Sequence, residues 1–238
     1  VILFIYKIIT MKYGMLSILA LIFGYFVSAQ DVDALLKEAE KAERDLKEAD
    51  ALIKYKEILQ VQPSNGKALW KISDLTGRIG NRQKDEKQKQ AAFSEARQFA
   101  ETALKENHSD ADANYAIAMT AARMSTVTSG KDKARNLRDM KNFADTALQL
   151  SPNHARALYV TGKWNFEITN LNVAEKAAVK VLFGGMPKAS LDDAIGNFEK
   201  ARTADPLLVI SYLDLAKAYV KNHQTDKAIE VLNRMIKL

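Results

Sequence analysis

The sequence predicts an all-α fold in which helix pairs stack into a solenoid, and three observations lead to that prediction. From Asp31 onward, apolar residues recur at the three- and four-residue spacing of an amphipathic helix, and strand-like alternation is nearly absent. Ala, Leu, Lys, Glu and Gln dominate this region, and all of them are good helix formers. A pattern of small residues, a ring and a proline also recurs along the chain, which indicates an internal repeat.

The composition excludes several classes of protein. The chain has 238 residues, 47% of them hydrophobic, with four Pro and ten Gly, so it contains enough apolar material for a packed core. It has no Cys, which excludes disulfides, thiolate nucleophiles and cysteinyl metal sites. The 35 Lys and Arg residues are mixed with 29 Asp and Glu residues rather than gathered into a stripe, so we expect no nucleic-acid partner.

The N-terminal residues predict export. Lys12 precedes an apolar run from Met15 to Val27, which is too short to span a hydrocarbon core of about 30 Å, and the small residue Ala29 follows it. A basic region, an apolar region and a small-residue site in this order predict a secretory signal peptide over residues 1–29. We therefore expect a periplasmic or cell-envelope protein whose mature part is a repeat domain over residues 30–238.

Two features of the same segment bear on this prediction. Residues 1–10 precede a better start at Met11, which indicates an over-extended start. Residues 1–26 taken together could instead form an uncleaved N-terminal membrane anchor. In that alternative the repeat domain would stay attached to the membrane.

The repeat pattern is small-x3-aromatic-x2-small-x4-Pro, which is typical of the second helix of a tetratricopeptide repeat and the turn that ends it. Small residues let antiparallel helices approach closely, the ring fills the gap to the next repeat, and Pro ends the helix. One copy fits fully and four fit with replacements or are cut short, which predicts about five helix pairs. The positions that carry the pattern are Ala194, Phe198, Ala201 and Pro206; Ala51, Tyr55 and Pro63; Ala96 and Ala103; Ala144, Ala147 and Pro152; and Ala228.

The spacing of the residues that end the second helices, Pro or His at the last position of the pattern, predicts enlarged repeats. They lie at positions 63, 108, 152 and 206, so the repeats exceed the standard length of about 34 residues. We expect the extra residues between the two helices of repeats two, three and four, at Arg78–Ala91, Ser125–Asn136 and Thr169–Ser190. The last insert should hold its own helix over Val173–Phe183, which Gly184, Gly185 and Pro187 end.

Several short motifs lie in the C-terminal third of the chain. They are Gly162-x-Trp164, Leu182-Phe183-Gly184-Gly185-Met186-Pro187 with Ala189-Ser190, Phe198-Glu199-Lys200-Ala201, Asp205-Pro206 and Leu215-Ala216-Lys217-x-Tyr219. Through them the stretch from Leu158 to Tyr219 resembles the regulator of microtubule dynamics family of tetratricopeptide-like proteins, and the chain looks like a bacterial, exported relative. The resemblance implies an all-α repeat domain without known catalytic residues, and lipid or organelle-contact roles in some members. Predicted export argues against a microtubule role here.

No enzyme motif is present in the sequence. It has no P-loop, no G-x-S-x-G, no H-E-x-x-H and no dinucleotide-type glycine fingerprint. His108, His154 and His223 fall at or near predicted turns on separate repeats. We expect two of them to be turn or cap residues that follow helices, where a cation suits the C-terminal dipole, and we expect no metal site. Asp192 and Asp193 follow Ser190 at a predicted helix start, where capping explains them. We therefore expect no cofactor, no metal and no enzymatic activity.

The first helices of the pairs predict a ligand groove, because in stacked helix pairs they line the concave face. Equivalent positions on that face carry aromatic rings, with basic and sulfur-containing side chains one and two turns further along. A row of aromatic side chains with such neighbours suits an extended peptide or an acyl chain, because rings supply large, rigid contact area. The groove residues predicted in this way are Trp70, Tyr115 and Tyr159 with Met119, Arg123, Lys163 and Phe166. In the alternative, the rings merely pack between helices, which is what we expect for Trp164 beside Gly162.

Two functions are compatible with this pattern. The first is a non-enzymatic envelope scaffold that presents the repeat groove to a protein or peptide partner. The second is a carrier of a lipid or other hydrophobic ligand inside the superhelix, gated by the insert Thr169–Ser190. The sequence favours the scaffold and does not identify the partner.

The signal-peptide prediction has a direct test. Protein isolated from the envelope fraction should begin at Gln30, because Ala29 and Val27 suit the cleavage site. Mass-spectrometric sequencing of the N-terminus measures this. An intact chain starting at Met11 in the membrane fraction would show the anchor instead.

Overall fold

The computed structural model describes residues 32–238, so the predicted signal peptide lies outside the described residues. All regular structure in this part is helical, which confirms the predicted all-α class. No helix within residues 32–238 combines the length and the apolar character that crossing a bilayer requires. The chain divides after Ala68 into two compact units.

The described part of the first unit, residues 32–68, contains two helices and the beginning of a third. Helix α1 covers residues 32–44, α2 covers Glu48–Val61, and α3, Gly66–Asn81, starts here and continues into the second unit. Ala51 and Tyr55 of α2 are fully buried, and the Tyr55 hydroxyl donates to Glu43 of α1 at 2.7 Å. These contacts hold α1 and α2 together as an antiparallel pair.

The second unit is a row of helix pairs. After α3 come α4 (Glu86–Glu106), α5 (Ala111–Met124), α6 (Gly130–Leu150), α7 (Ala155–Asn170), α8 (Val173–Phe183), α9 (Leu191–Ala204), α10 (Val209–Lys221) and α11 (Thr225–Met235). The first helices are α3, α5, α7 and α10, and their second helices are α4, α6, α9 and α11. Each first helix also contacts the next one, α5 with α7 and α7 with α10.

The residues of the repeat pattern lie in the contacts between helices. The small residues and the rings of the pattern in second helices are almost completely inaccessible: Ala96, Ala103, Ala144, Ala147, Ala194, Phe198, Ala201 and Ala228. Pro63, Pro152 and Pro206 lie in exposed turns directly after the helices they follow. Close approach at the small positions leaves no room for larger side chains.

Two of the three predicted inserts are helical rather than loops between helices. Within Arg78–Ala91, α3 continues to Asn81 and α4 begins at Glu86, and within Ser125–Asn136, α6 begins at Gly130. The surplus residues lengthen the second helices, so α4 and α6 have 21 residues each, against 14 in α9. The expected placement was wrong for Arg78–Ala91 because this segment consists largely of strong helix formers, and Asp85 caps α4 by accepting from the Gln88 N–H. It was wrong for Ser125–Asn136 because α6 already begins at Gly130.

The third insert contains the predicted helix. Helix α8 runs over Val173–Phe183 and begins with a capping box between Asn172 and Glu175. It ends at Gly184, whose φ of 70° is a left-handed conformation that favours glycine. The Lys133–Glu175 ion pair at 2.7 Å joins α8 to α6, so this insert lies beside the lengthened part of the preceding repeat.

Helix α7 approaches α9 closely at Gly162. A Cβ on Gly162 would lie 2.7 Å from Cδ1 of Phe198 and 3.1 Å from the backbone oxygen of Ala194. Trp164 lies toward α6 and its indole Nε1 donates to the Leu137 carbonyl at 3.0 Å, so the expectation that Trp164 packs in the core is confirmed. Gly162 thus lets the Phe198 ring lie against the backbone of α7.

The close approach at Gly162 predicts that replacing this glycine and replacing Gly196 have opposite effects on the free energy of unfolding. Gly162→Ala should destabilise the fold by about 1–3 kcal/mol, because the new methyl group overlaps the Phe198 ring. Gly196→Ala in α9 is the matched control, since a Cβ there meets nothing within 4 Å, and it should stabilise by about 0.5–1 kcal/mol. Urea denaturation of both variants measures the two effects. Equal stabilisation by both would show that the α7–α9 contact is looser than described.

Candidate functional site

The aromatic side chains that were predicted to line the ligand groove are not exposed. Trp70, Tyr115 and Tyr159 are only 6%, 4% and 2% accessible, so the expectation of an open aromatic wall was wrong. The rings pack between neighbouring helices: Trp70 meets Tyr115 edge-on at 6.3 Å, and Tyr159 lies 5.7 Å from Phe198. Met119 and Arg123 of the predicted groove are buried as well. The alternative, in which the rings pack between helices, therefore applies to Trp70, Tyr115 and Tyr159.

The first buried cluster joins α3 to α5 through Asp74. Its Oδ1 accepts from Nη2 of Arg123 at 2.8 Å and from the Tyr115 hydroxyl at 3.1 Å. Nη1 of Arg78 lies 3.7 Å from Oδ2 of the same carboxylate. The carboxylate is thus surrounded by donors from its own helix and from the next first helix.

The charges around Asp74 keep it ionised. Burial alone would raise the pKa of the Asp74 carboxyl, but the positive charges of Arg123, Arg156 and Arg78 together outweigh that effect and hold the pKa well below its usual range. Arg123 is itself buried, and its Nη1 has no hydrogen-bond partner and lies where a Cβ on Gly77 would be. Because Gly77 has no side chain, the guanidinium of Arg123 can occupy this space and reach Asp74.

A second cluster of the same kind joins α7 to α10 through Asp214. Its Oδ2 accepts from the Tyr159 hydroxyl at 2.8 Å and from Nζ of Lys163 at 3.4 Å, and its Oδ1 accepts from Nζ of Lys217 at 2.8 Å. Burial raises the pKa of Asp214, yet Lys163, Lys217 and the Tyr159 hydroxyl lower it further than burial raises it, so the net shift is downward. This carboxylate is also an anion at neutral pH.

The two tyrosines in these clusters remain hydroxyl donors. Burial, and after it the negative charge of the neighbouring carboxylate, raises the pKa of Tyr115 and of Tyr159 well above the usual range. A protonated phenol is a weak nucleophile and a poor acid at neutral pH. The clusters therefore provide hydrogen bonds between helices and do not provide an acid–base pair.

His154 completes the series by joining α5 to α7. It caps the start of α7, where its Nδ1 accepts from the Ala157 N–H at 3.1 Å, and its Nε2 lies 3.0 Å from Oδ1 of Asp112. The ring also lies 5.7 Å from that of Tyr115. His154 thus has a cap role, but at the beginning of α7 rather than after the end of a helix.

The other titratable residues singled out from the sequence have local roles. Ser190 caps α9 by accepting from the Asp193 N–H at 3.0 Å, which agrees with the capping interpretation, and Asp192 accepts from Asn222 at 3.1 Å. His108 and His223 lie in turns. Within residues 32–238, no group of three or more His, Asp or Glu side chains is arranged to hold a metal ion.

Sequence reasoning missed the buried pairing of both Asp74 and Asp214. Each is a single acid within a largely apolar first helix, and that isolation is the available signal that it is buried and paired. The partners could not be found in this way, because Tyr115 is 41 residues from Asp74 and Tyr159 is 55 residues from Asp214.

The part of the predicted groove that stays accessible lies toward α10. Lys163 and Phe166 are partly exposed, and Nζ of Lys221 lies 5.6 Å from the centre of the Phe166 ring. Leu213 occupies in α10 the place that Trp70, Tyr115 and Tyr159 occupy in their helices, and it is 40% exposed.

Comparison with known sequences identifies a family. A sequence profile described as Regulator of microtubule dynamics protein 1-3 matches residues 29–238. Regulator of microtubule dynamics protein 1 of Mus musculus is 26% identical over 79% of this chain and 65% of its own length. The Caenorhabditis elegans protein of the same name is 30% identical over 45% of this chain and 48% of its own length. The chain thus spans less than two thirds of these relatives.

Comparison with solved structures identifies the fold. A thermophilic TPR protein of Thermus thermophilus superposes with a TM-score of 0.62 over 87% of this chain and 90% of its own. Its sequence identity is 12%, so the likeness concerns the fold alone. It confirms the tetratricopeptide-like solenoid predicted from the repeat pattern.

The buried carboxylate of Asp74 predicts a pH-dependent stability. Asp74→Asn should lower the free energy of unfolding at pH 7 by about 3–5 kcal/mol, because Arg123 is left buried without its counter-charge. The pKa of Asp74 is lowered in the fold, so its contribution is complete above the unfolded value of about 3.9 and is lost as the pH falls through the folded value. Denaturant titrations of the wild type and the variant from pH 7 to pH 3 should therefore show a difference that narrows below about pH 4.

Asp132→Asn is the matched control for this experiment. Asp132 pairs with Arg135 on the surface, and both side chains are more than half exposed. The control should cost less than about 1 kcal/mol at every pH. An equally small effect of Asp74→Asn would contradict a buried, paired carboxylate.

Proposed function

Because the chain belongs to the regulator of microtubule dynamics family, we propose that it is a non-enzymatic binding scaffold of the bacterial cell envelope that presents its repeat surface to a protein or peptide partner. The observation that carries the proposal is the row of first helices, α3, α5, α7 and α10, fixed to one another by hydrogen bonds, of which those at Asp74 and Asp214 are buried. A preorganised surface loses little conformational freedom on binding, which favours association with a partner.

The chemistry of the described side chains supports a binding role. The buried acids are ionised and paired with cations, and the buried phenols are protonated, so these groups act as fixed hydrogen-bond partners. Repeat folds of this kind present extended surfaces made of several successive units, which suit the recognition of another chain. Such recognition needs no reacting group.

The envelope location rests on the N-terminal sequence. The order of Lys12, the apolar run to Val27 and the small residue Ala29 is that of a secretory signal peptide. An exported chain meets its partner outside the cytoplasm, so we propose a periplasmic or membrane-attached component. A role like the one in the relatives' name would require a cytoplasmic location.

Native mass spectrometry of the full chain purified from its own envelope fraction tests the scaffold against a carrier. A scaffold should give the mass of the mature polypeptide alone or of the polypeptide with a second protein. A lipid-sized increment that organic extraction removes would overturn the proposal in favour of the hydrophobic-ligand carrier. The same spectrum gives the mass of the intact polypeptide, which shows where its N-terminus lies and so tests cleavage after Ala29.

A further inference from the structure

Helix α10 has a continuous exposed face that the other first helices lack. Its members are spaced as one side of a helix: Val209, Ile210, Leu213, Lys217, Val220 and Lys221, here called the α10 stripe. Leu213 is 40% exposed and the Lys217 side chain 66% exposed, whereas Tyr212, Leu215 and Tyr219 on the opposite side are buried. The α10 stripe thus combines accessible aliphatic side chains with two lysines.

The exposed charge of this surface is positive. Asp214 is covered by its hydrogen bonds to Tyr159, Lys163 and Lys217, so it presents little negative charge to a partner. Glu167 on α7 is mostly covered as well and lies 3.6 Å from Nζ of Lys163. Lys217 and Lys221 are both exposed. A partner must therefore offer apolar side chains and negative charge together.

We propose that the α10 stripe binds an acidic, amphipathic segment of a partner protein, whose apolar side chains contact Leu213 and Val220 while its Asp or Glu side chains pair with Lys217 and Lys221. This inference rests on the proposed scaffold function and locates its binding surface. Amphipathic segments bind apolar stripes in this way, and charge complementarity at the rim speeds association and sets orientation.

The same charges disfavour two other occupants. A second copy of the chain, paired face to face through the α10 stripe, would bring Lys217 and Lys221 against their own counterparts. Binding to an anionic membrane surface typically uses clusters of about four to eight basic residues, and the α10 stripe contains only two. A protein segment with complementary charge fits better than either of them.

Site-specific photo-cross-linking in the native cell tests the proposal. Leu213→p-benzoylphenylalanine in the full chain places the reactive group on the α10 stripe, and the same substitution at Val181 of α8, which is 84% exposed, is the matched control. We expect cross-links from position 213, and not from position 181, to a peptide of another protein that is rich in Asp or Glu. Mass spectrometry identifies that peptide, and circular dichroism verifies that each variant is folded.

Charge reversal tests the role of the lysines. Combining Lys217→Glu with Lys221→Glu should lower the cross-linking yield from position 213 by about tenfold or more. Because Lys217 also donates to Asp214, circular dichroism and urea denaturation must show that this variant keeps the wild-type fold. Lys200→Glu, at an exposed lysine of α9, should leave it unchanged. A yield that does not respond to the double reversal would overturn the assignment of acidic chemistry to the partner.

The remaining outcomes separate this inference from the proposed function. Cross-links to a protein from position 181 only would overturn the α10 stripe as the binding surface and leave the scaffold function in place. Cross-links from position 213 to a lipid or to a second copy of this chain would overturn the inference in favour of that occupant. A folded variant that yields no protein cross-link from either position would count against both.

Discussion

Three polar contacts link the first helices of the second unit in series, and the arrangement of the repeats depends on them. Asp74 with Tyr115 joins α3 to α5, Asp112 with His154 joins α5 to α7, and Asp214 with Tyr159 joins α7 to α10. Apolar packing between Ala-rich helices tolerates sliding and rotation, because it has no direction. The hydrogen bonds at Asp74 and Asp214 are buried and have a charged acceptor, so they have both a direction and a high cost when unmade. They therefore fix the register of α3 against α5 and of α7 against α10.

These contacts also decide where the molecule can bind. Placing Tyr115 and Tyr159 so that their hydroxyls reach a carboxylate on a neighbouring helix buries the rings and removes them from any ligand surface. The equivalent position in α10 carries Leu213, which has no hydroxyl and remains exposed. The same position in successive first helices therefore has two roles. Tyr115 and Tyr159 stabilise the row there, whereas Leu213 remains available to a partner.

The sequence was sufficient for the repeat architecture but not for the burial of the site. The pattern around Ala194, Phe198 and Ala201 and the helix Val173–Phe183 follow from local spacing and from glycine at a helix end, which are properties of short segments. Spacing also placed Tyr115 and Tyr159 correctly at equivalent positions. It could not show what covers them, because burial depends on helices that are distant in the chain, and tyrosine suits a packed interior as well as a binding surface.

The ionisation states of the two aspartate–tyrosine contacts make these hydrogen bonds insensitive to pH over a wide range. The carboxylates of Asp74 and Asp214 have pKa values below their usual range, so they lose their charge only in acid. The phenols of Tyr115 and Tyr159 have pKa values above theirs, and that of Tyr219, raised by burial and by its hydrogen bond to Glu199, is about 12. Between these limits none of these groups titrates, so their hydrogen bonds keep the same donors and acceptors. A protein of the cell envelope, as proposed, is exposed to the external pH, and the α3–α5 and α7–α10 links keep the same hydrogen bonds throughout that range.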